Sequence, residues 1–242
     1  PLSYFLVRNR PEDAGLLPDG TGRSAGEQEE PNSSSPENAP PLPHEDSWTL
    51  KEATRTRAFW LIMICGAIPG MIITGITFQL FSILGERGVD RVTTAFLLGM
   101  IPLVSFGCSL LAGFIVERME ARKLLAFSFL MACVSPLLLL VSDHYALVLA
   151  FAVVWGMSQG FMNVPLGVLW PNYFGRKHLG SIQGVTHTAV VVGSALGPIQ
   201  FGWAYDQFGH YDGVLLVSSA VWAAGAVLAI LAIPPRRQRV SP

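Results

Sequence analysis

Between residues 58 and 235 the charged residues fall in tight clusters, and these clusters leave six windows without a single Asp, Glu, Lys or Arg. The windows are 58–85, 92–116, 124–142, 145–175, 178–205 and 213–235, or 28, 25, 19, 31, 28 and 23 residues. A helix needs roughly 20 mainly apolar residues to cross the hydrocarbon core of a bilayer. In that medium the backbone must satisfy its own polar groups, which a helix does. A soluble helical core of this length would carry charged outer faces, and these windows have none. The expected fold class is therefore an all-α membrane protein with six transmembrane helices. Only 14% of the 242 residues are charged, against about 25% in an ordinary soluble domain. The net charge of −1 gives no bulk attraction to nucleic acid.

The charge clusters also set an orientation. Six spans put both ends of the bundle on one side, together with the loops at 117–123 and 176–177. That side holds 14 Lys and Arg, and the other holds only Arg87 and Arg91. Without the long N-terminal segment the ratio is still 8 to 2. Positive residues concentrate on the cytoplasmic side, so both termini are expected in the cytoplasm of a multi-pass protein of the plasma membrane. Trp170 and Tyr173, just before the basic pair Arg176 and Lys177, suit the headgroup layer. Gly175 and Gly180 permit the turn beside it.

Residues 1–57 read as a cytoplasmic linker. They carry ten acids, six bases and eight of the 17 prolines, too little apolar surface to offset the entropy of ordering. "PLSYFLV" resembles the end of a preceding apolar helix, which makes the chain a fragment expected to lack transport when alone. "WTLKEATRTRAFW", residues 48–60, reads as an interfacial helix leading into the first span. Residues 236–242 form a basic tail. Cys65, Cys108 and Cys133 lie in different windows and form no CxxC pair, so they read as small buried hydrophobes. No metal or cofactor site is indicated.

Three local patterns carry a resemblance. "GFIVERMEARKLL", residues 113–125, resembles the loop between helices eight and nine of the major facilitator superfamily. Glu117, Arg118, Arg122 and Lys123 fill its charged positions, with Glu120 and Ala121 departing from its usual Gly-Arg. "GPIQFGWAYDQFGHY", residues 197–211, is similar to the end of helix eleven in that family. "YFGRKHLGSIQG", residues 173–184, looks most like the oxalate/formate antiporter and monocarboxylate-transporter branch. The resemblance implies that residues 58–235 are helices seven to twelve of a twelve-helix transporter. That domain would be one half of the molecule, two three-helix inverted repeats, with a missing N-terminal six-helix half as its partner. The implied function is transport of a small solute, an organic anion such as a monocarboxylate, by alternating access. Members of that branch that carry carboxylates often place a basic residue in helix eight or eleven. Here neither 92–116 nor 181–203 holds Lys or Arg.

Polar side chains inside spans are costly unless they face protein or water, so they are the candidates for a substrate site. Gln183, His187 and Ser194 follow i, i+4, i+11 on one helical face. Gln159 and Asn163 are i, i+4 before Pro165, and either face a cavity or bond helix to helix. Thr74, Thr77, Phe78 and Phe81 share a face beside Pro69-Gly70, although threonines also bond back to their own helix. Ser105 and Ser109 are weaker candidates. His187 is the one ionisable side chain deep in a span, and imidazole changes charge near neutral pH; it is either a packed histidine or a carrier of a coupled proton. Glu117, Arg118, Arg122, Lys123, Arg176 and Lys177 either gate the cytoplasmic side or only anchor topology. Ionic bonds from Arg118 or Arg122 to an acid on a neighbouring helix would favour one state. Gly156/Gly160 and Gly193/Gly197 are small-xxx-small pairs for close helix approach, and Pro198 is expected to bend or break its helix. "GMSQG", residues 156–160, matches the hydrolase elbow G-x-S-x-G, and Ser158 with His187 is the enzymatic alternative. The strand–turn–helix setting that the elbow needs is absent from this pattern. A membrane scaffold that moves nothing is the third class.

Overall fold

The computed structural model describes residues 48–142 and 144–235, and the description below is confined to these. They form a short helix α1 (Leu50–Ala53) and six long ones: α2 (Arg57–Glu86), α3 (Arg91–Val116), α4 (Ala121–Leu140), α5 (Tyr145–Phe174), α6 (Leu179–Phe208) and α7 (Asp212–Leu231). All six are long and apolar enough to span a membrane. At 1.5 Å per residue even the 20-residue α4 and α7 reach roughly 30 Å. The linker and tail expected at 1–47 and 236–242 lie outside the described residues.

Local chemistry sets the helix ends. Asp90 caps α3, its carboxylate accepting from the Val92 and Thr93 amides at 3.0 and 3.1 Å. Thr56 caps α2 by accepting from the Phe59 amide. Gly88, Gly175 and Gly209 sit at φ of 76°, 73° and 72° just past α2, α5 and α6, a backbone region that L side chains rarely adopt. α4 starts three residues before its uncharged window and takes Arg122 and Lys123 into its first turn, where long cationic stems reach water. The expected interfacial helix over 48–60 is in fact two pieces. A capping box between Thr49 and Glu52 nucleates α1, whose C-cap is Thr54, and the chain restarts as α2 at Arg57. The Trp48 amide donates to the Phe174 carbonyl at 2.9 Å, tying this segment to the end of α5.

The packing follows a simple plan. α2 packs on α6, α3 on α5, α4 on both α5 and α7, and α2 more lightly on α7. Exchanging α2, α3, α4 with α5, α6, α7 leaves this set of pairs unchanged. Because each repeat has three spans, the second enters the membrane from the opposite side, so the exchange relates two inverted repeats. Phe129 of α4, Phe151 and Trp155 of α5 and Trp222 of α7 fill the core. Their rings meet at 5.2 Å (Phe129–Trp222), 5.9 Å (Phe151–Trp155) and 6.4 Å (Trp155–Trp222). α6 is the least covered span and is held almost wholly by α2.

The near end of the bundle holds Trp48, Pro235 and the 117–120 and 175–178 connections. The far end holds 87–90 and 209–211. At the far end Arg87 donates to Asp212 at 2.5 Å and to the Leu140 carbonyl at 2.8 Å, joining α2, α4 and α7. At the near end the Tyr173 hydroxyl donates to the Ala232 carbonyl at 2.7 Å. The exchange carries the end of α2 to the end of α5, and of α4 to that of α7. The same stitch is thus made by a guanidinium at one end and a phenol at the other.

Candidate substrate cavity

The site is built around the crossing of α2 and α6, where the helices meet backbone to backbone. A Cβ at Gly197 would collide with the Met71 carbonyl, one at Gly193 would come within 2.9 Å of the Ala67 carbonyl, and one at Gly70 within 2.7 Å of the Val190 carbonyl. Pro198 lies inside α6 without breaking it, as Pro69 does in α2. It has no amide to donate to the Ser194 carbonyl four residues earlier. The Thr74 hydroxyl of α2 lies 3.0 Å from that freed carbonyl. The same hydroxyl lies 2.6 Å from its own Gly70 carbonyl, and its one proton serves one acceptor at a time.

Toward the near end the two helices loosen. Gly66 has only a Val190 methyl group at 3.7 Å, and Gly180 and Gly184 have nothing within reach of a Cβ. Between α2, α5 and α6 this leaves a cavity of about 780 Å³. Its polar lining is Thr74, Asn163, Gln183, Thr186, His187 and Ser194, and its apolar walls include Met63, Ile73, Leu166, Trp170 and Val190. From Ser194 to Gln183 it runs 11 residues along α6, roughly 16 Å of helix rise. It therefore reaches from mid-span toward the near end instead of lying at the midplane alone.

Beyond Ser194 the far end is closed in layers. The Phe201 ring packs where a Gly75 Cβ would stand. The Tyr211 hydroxyl meets Ser82 at 3.0 Å and Gln79 at 3.3 Å, and its ring stacks on Tyr205 at 4.8 Å. Burial pushes the Tyr211 hydroxyl above its ordinary range, so it stays a neutral hydrogen-bonding group. The Arg87–Asp212 pair lies outermost.

The six spans, their crossings and this cavity agree with one known architecture. The family model of the Major Facilitator Superfamily matches the chain over residues 3–198 and again over 103–242. The chain belongs to the Major Facilitator Superfamily. It is a multi-pass membrane protein, half of such a transporter in architecture, and its family function is solute transport. No curated protein matches it.

Five sequence candidates of this superfamily member meet in the cavity: His187, Gln183, Ser194, Asn163 and Thr74. The side chains of His187, Gln183 and Asn163 make no hydrogen bond among the described residues, so their donors and acceptors are available to a solute. No Asp, Glu, Lys or Arg is among the described lining residues. Gln159, Thr77 and Phe78 lie elsewhere. Gln159 is half-buried on α5, while Thr77 and Phe78 are exposed on α2 past the cavity's closed end. The Trp170 ring is turned into the protein: it is 6% exposed, stacks on Phe174 at 5.9 Å and forms part of the cavity wall. Thr186 was legible only as the neighbour of His187, one position round the helix. Its hydroxyl bonds back to the Gln183 carbonyl at 3.0 Å.

Among the described residues, neither Arg118 nor Arg122 bonds an acid on a neighbouring helix. Arg122 bonds Glu120 at 2.7 Å and Lys123 approaches the same carboxylate at 3.6 Å. The Arg122 hydrogen bond holds Glu120 below the usual carboxylate range. The family's Gly position is thus occupied by an acid that pairs with the loop's own cations. Glu117, Arg118, Arg176 and Lys177 are exposed at the near end. The glycines behave as expected from their spacing: Gly156 and Gly160 press α5 onto the Ile101 and Ser105 carbonyls of α3. Ser158 is fully buried and its hydroxyl donates to Trp155. It is not among the cavity-lining residues that include His187, and the structure assembles no Ser–His pair there.

Proposed function

We propose that the protein moves a small organic anion, such as a monocarboxylate, by alternating access, as the C-terminal half of a twelve-helix transporter. The observation that carries this reading is the cavity itself: amide, hydroxyl and imidazole groups converge there, and no carboxylate is among the described residues that line it. A cationic solute would find no counter-charge. An anion would find donors from Gln183 and Asn163, and a positive charge once His187 takes a proton. A bound anion favours the charged imidazole and desolvation opposes it, which couples solute and proton at one site. The likeness of residues 173–184 to the oxalate/formate and monocarboxylate branch supports the same solute class. The 14-to-2 distribution of cations supports a cytoplasmic near end in the plasma membrane, so that the cavity faces inward.

The test is uptake of labelled small monocarboxylates by the full twelve-helix protein in proteoliposomes, scanned in pH. Uptake is expected to rise as pH falls through the imidazole range, and His187→Gln should flatten that rise while leaving the fold intact. An unchanged pH profile and unchanged apparent affinity in His187→Gln would remove His187 from the transport site. Strong uptake of organic cations with none of anions would overturn the solute class.

A further inference from the structure

A second concave site lies at the near end and shares no lining residue with the first cavity. It is a groove of about 440 Å³ between the start of α2 and the segment that follows α7. Thr56, Arg57, Ala58 and Leu61 form one wall, and Leu231, Ile233 and Pro235 the other. Arg57 is exposed and has neither an ion pair nor a hydrogen bond among the described residues. Lys51 and Arg55, both exposed, lie just before it. Below this cationic rim the groove is apolar and joins the outward face of the bundle. Leu231 is 56% and Ile233 62% exposed there, and Trp60 nearby on α2 is 51% exposed. The far wall is fixed in place, since the Tyr173 hydroxyl holds the Ala232 carbonyl and the Ile233 amide donates to Leu231.

We propose that this groove seats one anionic phospholipid, its phosphate on Arg57 and the first part of an acyl chain along Leu61, Leu231 and Ile233. The charge at the rim, the apolar bed beneath it and the position at a helix start together match an amphiphile with an anionic head. A soluble phosphate would use the rim alone, and a neutral lipid the bed alone. Juxtamembrane cations attract anionic lipid, and here one unpaired guanidinium stands over a groove shaped for the chain.

The test is lipid retention by the purified protein, read by native mass spectrometry after exchange into phosphatidylglycerol or phosphatidylcholine of the same chains. Phosphatidylglycerol should be retained about five-fold over phosphatidylcholine, and Arg57→Gln should abolish that preference. Arg57→Lys should keep most of it, and Lys177→Gln, the same charge change elsewhere on the near end, should leave it intact. Quenching of tryptophan fluorescence by brominated phosphatidylglycerol should fall in Arg57→Gln but not in Lys177→Gln. Should Arg57→Gln fail to fold, Ile233→Trp, which fills the acyl part, should lower retention of phosphatidylglycerol. Equal retention of the two lipids, a preference that survives Arg57→Gln, or unchanged retention of phosphatidylglycerol in Ile233→Trp overturns the proposal. Displacement of the lipid by millimolar glycerol phosphate would also overturn it, by showing a site for the headgroup alone.

Discussion

Thr74 concentrates the chemistry of the α2–α6 crossing in one hydroxyl. Its proton is placed between its own helix, at Gly70, and the Ser194 carbonyl that Pro198 leaves without an amide. Thr74→Val keeps the shape and removes the donor. It should cost about 1 kcal/mol, the net value of one hydrogen bond, read as a lower midpoint of thermal unfolding in detergent; Thr74→Ser should recover part of it. Equal stability of Thr74→Val and wild type would mean that the Ser194 carbonyl finds another donor. Asp90 gives a second prediction at this scale. The Thr93 hydroxyl, then the Thr93 and Val92 amides, hold its carboxyl below the usual range. A depressed carboxyl stabilises the fold above its ordinary pKa, about 3.9, and that contribution is lost as pH falls through the lower folded value. The first turn of α3 should therefore exchange its amide hydrogens faster at pH 3 than at pH 6, after correction for intrinsic rates. Asp90→Asn, which caps without titrating, should lose this dependence.

At the scale of elements, the glycine crossings decide how the spans can sit. Gly197→Ala puts a methyl group into the Met71 carbonyl and next to the Thr74 hydroxyl, so α2 and α6 must part. Overpacking of this kind costs about 1–3 kcal/mol, and because α6 has little other attachment, the loss should appear as selective exposure of α6 to proteolysis or cysteine labelling. Gly184→Ala, with nothing near its Cβ, is the control expected to leave α6 as protected as in wild type. Much of this was legible in the sequence. Uncharged windows mark spans because charge in hydrocarbon is expensive, and paired small residues four apart mark crossings for steric reasons. The ends were less legible: α4 and α6 extend past their windows because Arg122, Lys123 and Asp206 lie on helical turns near the ends, where they can reach water. Helical phase brought Gln183, His187 and Ser194 together correctly. It did not tell which part of α2 and α5 the cavity reaches, since that depends on where the helices loosen. Thr74 and Asn163 therefore entered the lining while Thr77 and Gln159 did not. The place of Trp170 in the cavity wall was not legible, because an aromatic ring before a basic pair has the same sequence whether or not it also packs on Phe174.

For the whole molecule, the far end is closed by contacts that join several helices. Arg87 links α2, α4 and α7 through Asp212 and the Leu140 carbonyl. Its side chain is 22% exposed and that of Asp212 49%, so solvent weakens the pair. Arg87→Gln should cost about 1 kcal/mol, and Asp212→Asn should add little to it in the double variant. The more telling readout is access. If these contacts help to seal the far end, cysteines placed at Gln79 or Ser82 should react faster with an impermeant maleimide once Arg87 is replaced. Unchanged labelling would restrict Arg87 to stability.

The exchange of repeats gives the cavity an image. α2 and α3 begin the same number of residues before α5 and α6, so each lining position has a counterpart. Residues 63–74, 163–170 and 183–194 map onto 151–162, 75–82 and 95–106. Those counterparts hold Gln159, Thr77, Phe78 and Ser105, polar or aromatic groups that take no part in the present lining. Thr77 and Phe78 are exposed, and the counterpart of the loosened α2–α6 end is closed where Gly156 and Gly160 press α5 onto α3. If each repeat took up the other's shape, the open volume would close and a second volume would appear, facing the far end. Cysteines at Gln159 and Ser105 should then label only under conditions that protect Gln183.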